Sequence, residues 1–256
     1  MHAKAKASKE RERQKETPSE SIASIASVFI AGLFIITFVV QAFEIPSGSM
    51  ENTLLIGDHV FVDRLTPAPR AAYMGPLMPY RKVHRGEVIV FLHPAQPGMY
   101  VVKRIVGTPG DRIHLREGRL YVNGVEQNEP YLNPDRGGYF PYRDDFLSVS
   151  PYGVQQIVPE WPMLVQANKQ GEDLVIPPGN YFGMGDNRAE SLDSRYWGFI
   201  PQENIIGRPL FIYWSFETPR DQYERDSLTD RIAFLFHILF HFFGDTRWNR
   251  MFHMVR

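Results

Sequence analysis

The stretch from Ser21 to Phe43 runs for 23 residues without a charged side chain. Isoleucine, valine, phenylalanine and alanine are its main residues, and Gly32 is its only glycine. At about 1.5 Å per residue, a helix of this length spans roughly 30 Å, the thickness of the hydrocarbon layer of a bilayer. We therefore predict an uncleaved transmembrane helix at 21–43.

Two other interpretations explain this stretch less well. A cleaved leader peptide also has a basic start and an apolar run, but this run is longer than a usual leader core, and no small-x-small cleavage site follows it. A buried helix of a soluble domain would show a polar face, which this run lacks.

The charges that flank the stretch predict its orientation. Acidic residues come first on the C-terminal side, with Glu44, Glu51 and Asp58 ahead of Arg64. Because basic residues stay on the cytoplasmic side, we expect a single-pass protein of the inner membrane with a cytoplasmic tail at 1–20 and an extracytoplasmic, periplasmic body. The tail holds six basic residues: Lys4, Lys6, Lys9, Arg11, Arg13 and Lys15.

Composition excludes several classes of chemistry. The chain has no cysteine, so disulfides, thiolate metal sites and a cysteine nucleophile are ruled out. The net charge of −1 gives no sign of a nucleic-acid partner.

The body, 44–225, reads as a mainly β domain. Short apolar or alternating runs are separated by Gly, Pro, Asn and Asp, and Asn123-Gly124 marks a hairpin. Two loop-like excursions interrupt the pattern, Thr66–His84 and Glu129–Pro178, and we expect the longer one, at about 129–178, to form a smaller inserted β subdomain. The predicted strands are His59–Arg64, Glu87–Leu92, Tyr100–Val106, Arg112–Leu115, Leu120–Val122, Asp173–Ile176 and Pro209–Ser215.

The C-terminal part, 226–256, predicts a short amphipathic helix and a basic tail. Ser227 with Asp230 resembles a capping box, and the apolar run Ile232–Phe243 is too short to span a bilayer. The helix either lies on the membrane or packs on the β domain, and the sequence favours neither. His237 and His241 have a metal-chelating spacing, but no third ligand is evident nearby, so we predict no metal site.

Three short segments carry the residues suited to catalysis. The first is Ile45-Pro46-Ser47-Gly48-Ser49-Met50, directly after the apolar stretch. The second is Lys103-Arg104-Ile105-Val106-Gly107-Thr108-Pro109-Gly110-Asp111, in which a lysine sits in an otherwise apolar strand. The third is Gly185-Asp186-Asn187-Arg188, followed by Ser191, Asp193, Ser194, Arg195, Tyr196, Trp197 and Gly198. Each alone is compatible with an ordinary turn or loop.

Together and in this order after an apolar anchor, the segments resemble the bacterial type I signal peptidases, Ser–Lys serine proteases that remove signal peptides from exported proteins. The resemblance covers roughly residues 40–215. Asn52 stands where relatives often have proline, and Thr108 where leucine is common. This chain has one apolar span, where many relatives have two.

The resemblance implies the catalytic roles. Ser49 is the expected nucleophile and Lys103 the general base, which a lysine can be only when burial keeps it neutral. The Ser49 backbone N–H and the Ser47 hydroxyl are the expected oxyanion hole, and Ser191 the group that orients Lys103.

The resemblance also implies supporting residues and partners. An ion-pair network should lie behind the site, formed by Asp193 with Arg195 and joined by Arg104, with Gly185 nearby. Ile45 and Val102 should line shallow substrate pockets. The expected partners are signal-peptide-bearing preproteins, the lipid bilayer and, by proximity, the translocon, with no cofactor. Two alternatives stay open: a specialised Ser–Lys processing peptidase of one secretion or conjugation pathway, and an inactive membrane-anchored binding module.

Overall fold

The computed structural model describes residues 17–34, 36, 39–65, 81–133, 137–225 and 227–256. It divides the chain into two units, Met1–Val39 and Val40–Arg256. In the first unit, helix α1 spans Pro18–Phe34 and buries none of its residues. No helix in the described ranges combines the length and the apolar character needed to cross a membrane. The described residues do not include the six basic residues of the predicted tail or most of the Thr66–His84 excursion.

The second unit is mainly β, as the sequence predicts. Its strands are, in chain order, β1 (Val40–Glu44), β2 (Asp58–Asp63), β3 (Val88–Leu92), β4 (Tyr100–Gly107), β5 (Arg112–Arg116), β6 (Arg119–Val122), β7 (Val125–Glu126), β8 (Lys169–Gln170), β9 (Asp173–Val175), β10 (Asn180–Met184), β11 (Ile200–Pro201) and β12 (Ile205–Ser215). Its helices are α2 (Pro141–Asp144), α3 (Trp161–Asn168), α4 (Ser194–Trp197) and α5 (Leu228–Asp245).

The strands form two antiparallel sheets. A seven-stranded sheet has the order β1-β2-β12-β3-β4-β10-β11, and a five-stranded sheet has the order β7-β6-β5-β9-β8. Strand β3 is apolar at every position and lies inside the larger sheet, where both of its faces are covered. Lys103 is therefore carried by a strand, β4, that pairs with the most apolar strand of the sheet.

The first strand overlaps the predicted anchor. Val40, Gln41, Ala42 and Phe43 pair with β2, so these four positions are part of the sheet rather than of a helix. The uncharged stretch outside the sheet is accordingly 21–39.

The predicted hairpin at Asn123-Gly124 is confirmed. Val122 pairs with Val125, and the two loop residues have φ of 53° and 76°. Positive φ at both positions is the requirement of a type I′ turn, which asparagine and glycine meet at the lowest cost.

The smaller sheet differs from the prediction in its limits. Strands β5, β6 and β7 precede residue 129, and only β8 and β9 come from the excursion. The rest of the excursion supplies α2, α3 and loops that pack on this sheet through Phe146 and Trp161. The pairing of Arg112 with Val175 and of Ile113 with Leu174, 63 and 61 positions apart, decides these limits, and local composition does not encode it.

Helix α5 is longer than the apolar run that predicts it. Ser227 is its N-cap, since the Ser227 hydroxyl accepts a hydrogen bond from the Thr229 N–H at 3.3 Å. One side of α5 packs on the larger sheet, with Phe242 against Trp214 and Phe234 against Phe216.

Candidate active site

Ser49 lies in a single helical turn, Gly48–Met50, that follows β1. Met50 is buried in an apolar cluster of the core, and its packing there holds this turn in place. From the other side, the Asn187 N–H donates to the Ser49 carbonyl at 3.1 Å. The first and third sequence segments are thus joined through the backbone of Ser49 itself.

Lys103 reaches Ser49 from the middle of β4. Its ammonium Nζ donates to Ser49 Oγ at 2.6 Å, although the two residues are 54 positions apart in the chain. The lysine side chain is only 4% exposed. Burial disfavours the charged ammonium and, partly offset by the Asp193 carboxylate, lowers the pKa of Lys103 to about 8.

Asp193 and Arg195 form a buried ion pair behind the lysine. Arg195 Nε and Nη2 each donate to one oxygen of the Asp193 carboxylate at 2.8 Å, and neither side chain is exposed. Burial alone would raise the pKa of Asp193, but the Arg195 guanidinium and its hydrogen bonds hold it below the usual value. The pair therefore stays ionised, with the negative Asp193 carboxylate near Lys103 and the positive Arg195 guanidinium partly offsetting its effect.

Ser191 bonds to this pair rather than to Lys103. Its hydroxyl donates to Asp193 Oδ2 at 2.8 Å, and among the described residues Lys103 Nζ is bonded to Ser49 alone. Gly185 packs between the two serines: a Cβ at this position would lie 2.3 Å from Ser191 Oγ and 2.4 Å from the Ser49 carbonyl oxygen. Only glycine lets the three residues approach so closely.

Arg104 does not join the Asp193 pair, contrary to the expected single network. It forms a second buried pair, in which its Nε and Nη2 donate to Asp186 at 2.8 and 2.6 Å. Thr53 donates to the same carboxylate at 2.5 Å, and the Tyr131 ring lies 3.9 Å from the guanidinium carbon. Asp186 has no predicted role, although its place in the Gly-Asp-Asn-Arg segment, beside Gly185, is a usable signal in the sequence.

A groove of 570 Å³ opens beside Ser49 and Lys103. Ile45 and Val102, the two predicted pocket residues, both line it, and so do Ser47 and His93. Ser47 is exposed, and its Oγ lies 3.5 Å from Ser49 Oγ. The geometry thus places a hydroxyl, a buried amine and a second hydroxyl along one wall of an open, largely apolar groove.

Comparison with known proteins identifies the family. Residues 19–214 match the family model described as signal peptidase, peptidase S26. The chain belongs to this family. It is 33% identical to the signal peptidase I of Pseudomonas aeruginosa over 75% of this chain and 72% of that protein. It is 31% identical to the signal peptidase I of Aquifex aeolicus over 78% and 86%.

As a member of this family, the chain is a serine endopeptidase that removes signal peptides. The chain also matches a crystal structure of a signal peptidase I from Enterococcus faecalis, with 31% sequence identity and a TM-score of 0.37. The match covers 50% of this chain and 97% of the Enterococcus chain.

Two clusters outside the groove also contain residues suited to chemistry. His114 and Asp173 form a pair at 2.6 Å on the smaller sheet, where the histidine stacks on Tyr121. On α5, His237, His241 and Asp245 offer ligand atoms within 4.8 Å of one another. Asp245 is thus a third donor close to the two histidines, contrary to the prediction that no third ligand lies nearby. Neither cluster is among the residues that line the groove beside Ser49.

Proposed function

We propose that this signal peptidase cleaves its substrates through Ser49 as the nucleophile and Lys103 as the general base. The observation that supports the proposal is the 2.6 Å hydrogen bond between Lys103 Nζ and Ser49 Oγ, made by a lysine whose pKa burial lowers to about 8. A serine hydroxyl needs an adjacent base, and a lysine serves as one when it is deprotonated.

The reaction then runs in two halves. Neutral Lys103 takes the Ser49 proton as Oγ attacks the scissile carbonyl, and the resulting ammonium gives that proton to the departing amine, which leaves an acyl-enzyme. In the second half, Lys103 takes a proton from the attacking water and returns one to Ser49 Oγ as the peptide acid leaves. No net proton stays on the enzyme.

The Ser49 backbone N–H and the Ser47 hydroxyl are the proposed donors to the oxyanion. The Ser47 hydroxyl is exposed and 3.5 Å from Ser49 Oγ, so it can turn toward an oxygen that forms beside the nucleophile. Donors held in place before the reaction stabilise the developing charge at little reorganisation cost.

Ser191 and the Asp193–Arg195 pair act as positioning residues. Since the single proton of the Ser191 hydroxyl is held by Asp193, its lone pairs remain available to accept from the Lys103 amine. Asp193 thereby sets the direction of the hydroxyl that would orient the base. Arg104 with Asp186 supports the same loop from a second side.

The groove beside Ser49 is the proposed substrate site. Its apolar lining, which includes Ile45 and Val102, suits the small apolar side chains that precede a cleavage site.

The experiment uses the full chain in detergent with a precursor that carries an Ala-x-Ala site. We expect Ser49→Ala and Lys103→Met to abolish cleavage, whereas Lys169→Met, at an exposed lysine, keeps it. Cleavage by either of the two active-site variants would refute the assignment.

Lys103→Met should also increase the free energy of unfolding by up to about 3 kcal/mol below pH 8, because a buried ammonium is removed. This gain should fade as the pH rises toward about 10.

We also propose that the uncharged stretch 21–39 anchors the protein in the inner membrane, with the residues before it in the cytoplasm and the catalytic unit outside. Nineteen residues at about 1.5 Å each cover roughly 28 Å, close to the thickness of a bilayer's hydrocarbon core. The six basic residues before the stretch, against a first Lys or Arg at Arg64 after it, favour this orientation. In that arrangement Ser49 lies ten residues after the anchor, near the surface from which a membrane-bound substrate emerges.

A further inference from the structure

Helix α5 presents an apolar face that the described residues leave largely exposed. Seven side chains on this face are between 53% and 80% exposed: Leu228, Ile232, Leu235, Phe236, Leu239, Phe240 and Phe243. Their spacing of three, four and seven residues places them in one stripe along the whole length of the helix. We call this stripe the apolar face of α5.

The opposite side of α5 is fixed to the larger sheet, so the helix cannot rotate to hide this stripe. Phe242 lies 6.0 Å from Trp214 and Phe234 lies 6.2 Å from Phe216, ring centre to ring centre. After the helix, Thr246 forms a bridge with Phe216, and Arg247 donates to the carbonyls of Ile56 and Phe216 at 2.5 Å. These contacts hold one side of the helix and its C-terminal end in place.

The distribution of charge on α5 suits a lipid surface. Asp230, Arg231 and Asp245 lie near the two ends, and no Asp, Glu, Lys or Arg occurs between Ile232 and Gly244. A soluble domain seldom exposes so large a continuous apolar stripe. Trp248 stacks on Phe243 at 6.2 Å and adds an indole, a group favoured at the interface between lipid and water.

The position of α5 in the fold points to the same partner. Strand β1 follows the uncharged stretch directly, and its last residue, Glu44, accepts a hydrogen bond from Tyr223 in the loop that leads to α5. His59 lies 3.5 Å from the same carboxylate and stacks on Trp214 at 4.7 Å. Trp214 in turn contacts α5 through Phe242. A short series of direct contacts thus connects the start of the sheet to the helix.

We propose that the apolar face of α5 lies in the interfacial layer of the lipid bilayer, as a second membrane attachment of the catalytic unit. The proposal rests on the membrane anchoring proposed above, which places β1 at the bilayer surface. A helix with one strongly apolar face binds in this layer with its axis parallel to the membrane. Two attachments, one at each end of the chain, would fix the groove beside Ser49 at a constant height above the lipid.

The test exploits the absence of cysteine from the chain. The variant Phe240→Cys is labelled with an environment-sensitive fluorophore and reconstituted as the full chain in vesicles of phosphatidylethanolamine and phosphatidylglycerol. We expect a blue-shifted emission and strong quenching by lipids that carry a nitroxide near the headgroup. The matched control is Met163→Cys, an equally exposed apolar position on α3, which should show neither effect.

A third variant, Ile30→Cys, separates this proposal from the proposed anchor. Residue 30 is the midpoint of the proposed anchor, so it is probed with lipids that carry the nitroxide deep in the acyl chain. Deep quenching at residue 30 without headgroup quenching at residue 240 would overturn the proposal for α5 and leave the anchor intact. Absence of deep quenching at residue 30 would refute the anchor. A blue shift at residue 240 that grows with protein density, without lipid quenching, would show that a second copy of the chain covers the face, and this too would overturn the proposal.

Discussion

At the scale of single residues, burial gives Lys103 its chemistry. A lysine on a strand usually extends its ammonium to water, where it stays protonated at neutral pH. Here the strand pairs with β3, the side chain is 4% exposed, and the pKa falls to about 8. Asp193 opposes this shift, and Arg195 reduces that opposition by pairing with Asp193.

The pH dependence of cleavage follows from this value. Because the base must be neutral, kcat/KM should rise about tenfold per pH unit below pH 8 and level off above it. His93 also lines the groove, but burial and the nearby Lys103 lower its pKa, which moves its titration away from pH 8. The rate profile of His93→Ala should therefore keep its inflection near pH 8. A profile that is flat from pH 6 to 9 would contradict the proposed role of Lys103.

Gly185 is a second position where one residue decides the site. Gly185→Ala places a methyl group within 2.5 Å of both Ser191 Oγ and the Ser49 carbonyl oxygen, so one of the two must move. We expect kcat/KM to fall about 100-fold, the effect typical of a displaced catalytic group. Gly138→Ala is the matched control, since a Cβ there meets open space. Equal rates for the two variants would show that the close packing at Gly185 is not needed.

At the scale of elements, the C-terminal segment completes the wall behind Ser49. Arg250 donates to the buried Asp58 carboxylate at 2.6 and 3.1 Å, and Val255 packs into the core cluster that also holds Ile45 and Met50. The carbonyl of Arg256 accepts from Arg104 at 3.1 Å. The last eleven residues thus contact buried residues of the first and second sequence segments.

Arg250→Met tests how much the C-terminal segment contributes to stability. It leaves the Asp58 carboxylate buried without its ion-pair partner, which should cost about 3 kcal/mol in the free energy of unfolding. Arg116→Met breaks an exposed pair with Glu172 and should cost less than about 1 kcal/mol. Denaturant titration of both full-length variants in mild detergent gives the comparison. Similar losses would mean that the C-terminal segment adds little to the stability of the site.

The sequence predicted strands better than it predicted which strands meet. Alternation of buried and half-exposed residues in β2, and the continuous apolar run of β3, are local patterns that survive in the structure. The limits of the smaller sheet and the overlap of β1 with the predicted anchor depend on pairing with distant strands. Residues 40–43 belong to the sheet because β2, which follows 14 residues later in the chain, supplies their hydrogen-bonding partners.

At the scale of the whole molecule, the charge distribution predicts an orientation across the membrane. Full-length variants with a single cysteine at position 8 or 163 should differ in intact spheroplasts. An impermeant maleimide should label Met163→Cys at once and Ser8→Cys only after lysis, because the basic tail stays inside. The reverse pattern would contradict the proposed topology, and labelling of both positions would contradict a membrane barrier between them.

The sequence by itself determined the types of residue that the chemistry needs: two serines around a glycine, a lysine in an apolar strand, and a polar run that starts at Gly185. It also determined the excess of basic residues before the uncharged stretch. These features are local, since a few neighbouring residues suffice to read them. Their family order was enough to predict a peptidase.

Only the tertiary structure decided how these residues meet. Lys103 lies 2.6 Å from Ser49 because β4 and the turn after β1 converge on one side of the larger sheet. Two further features also depend on contacts between distant parts of the chain. Arg104 pairs with Asp186 rather than with Asp193, and the apolar face of α5 points outward. Burial, ion-pair partners and exposure depend on residues distant in the chain, so no local pattern specifies them.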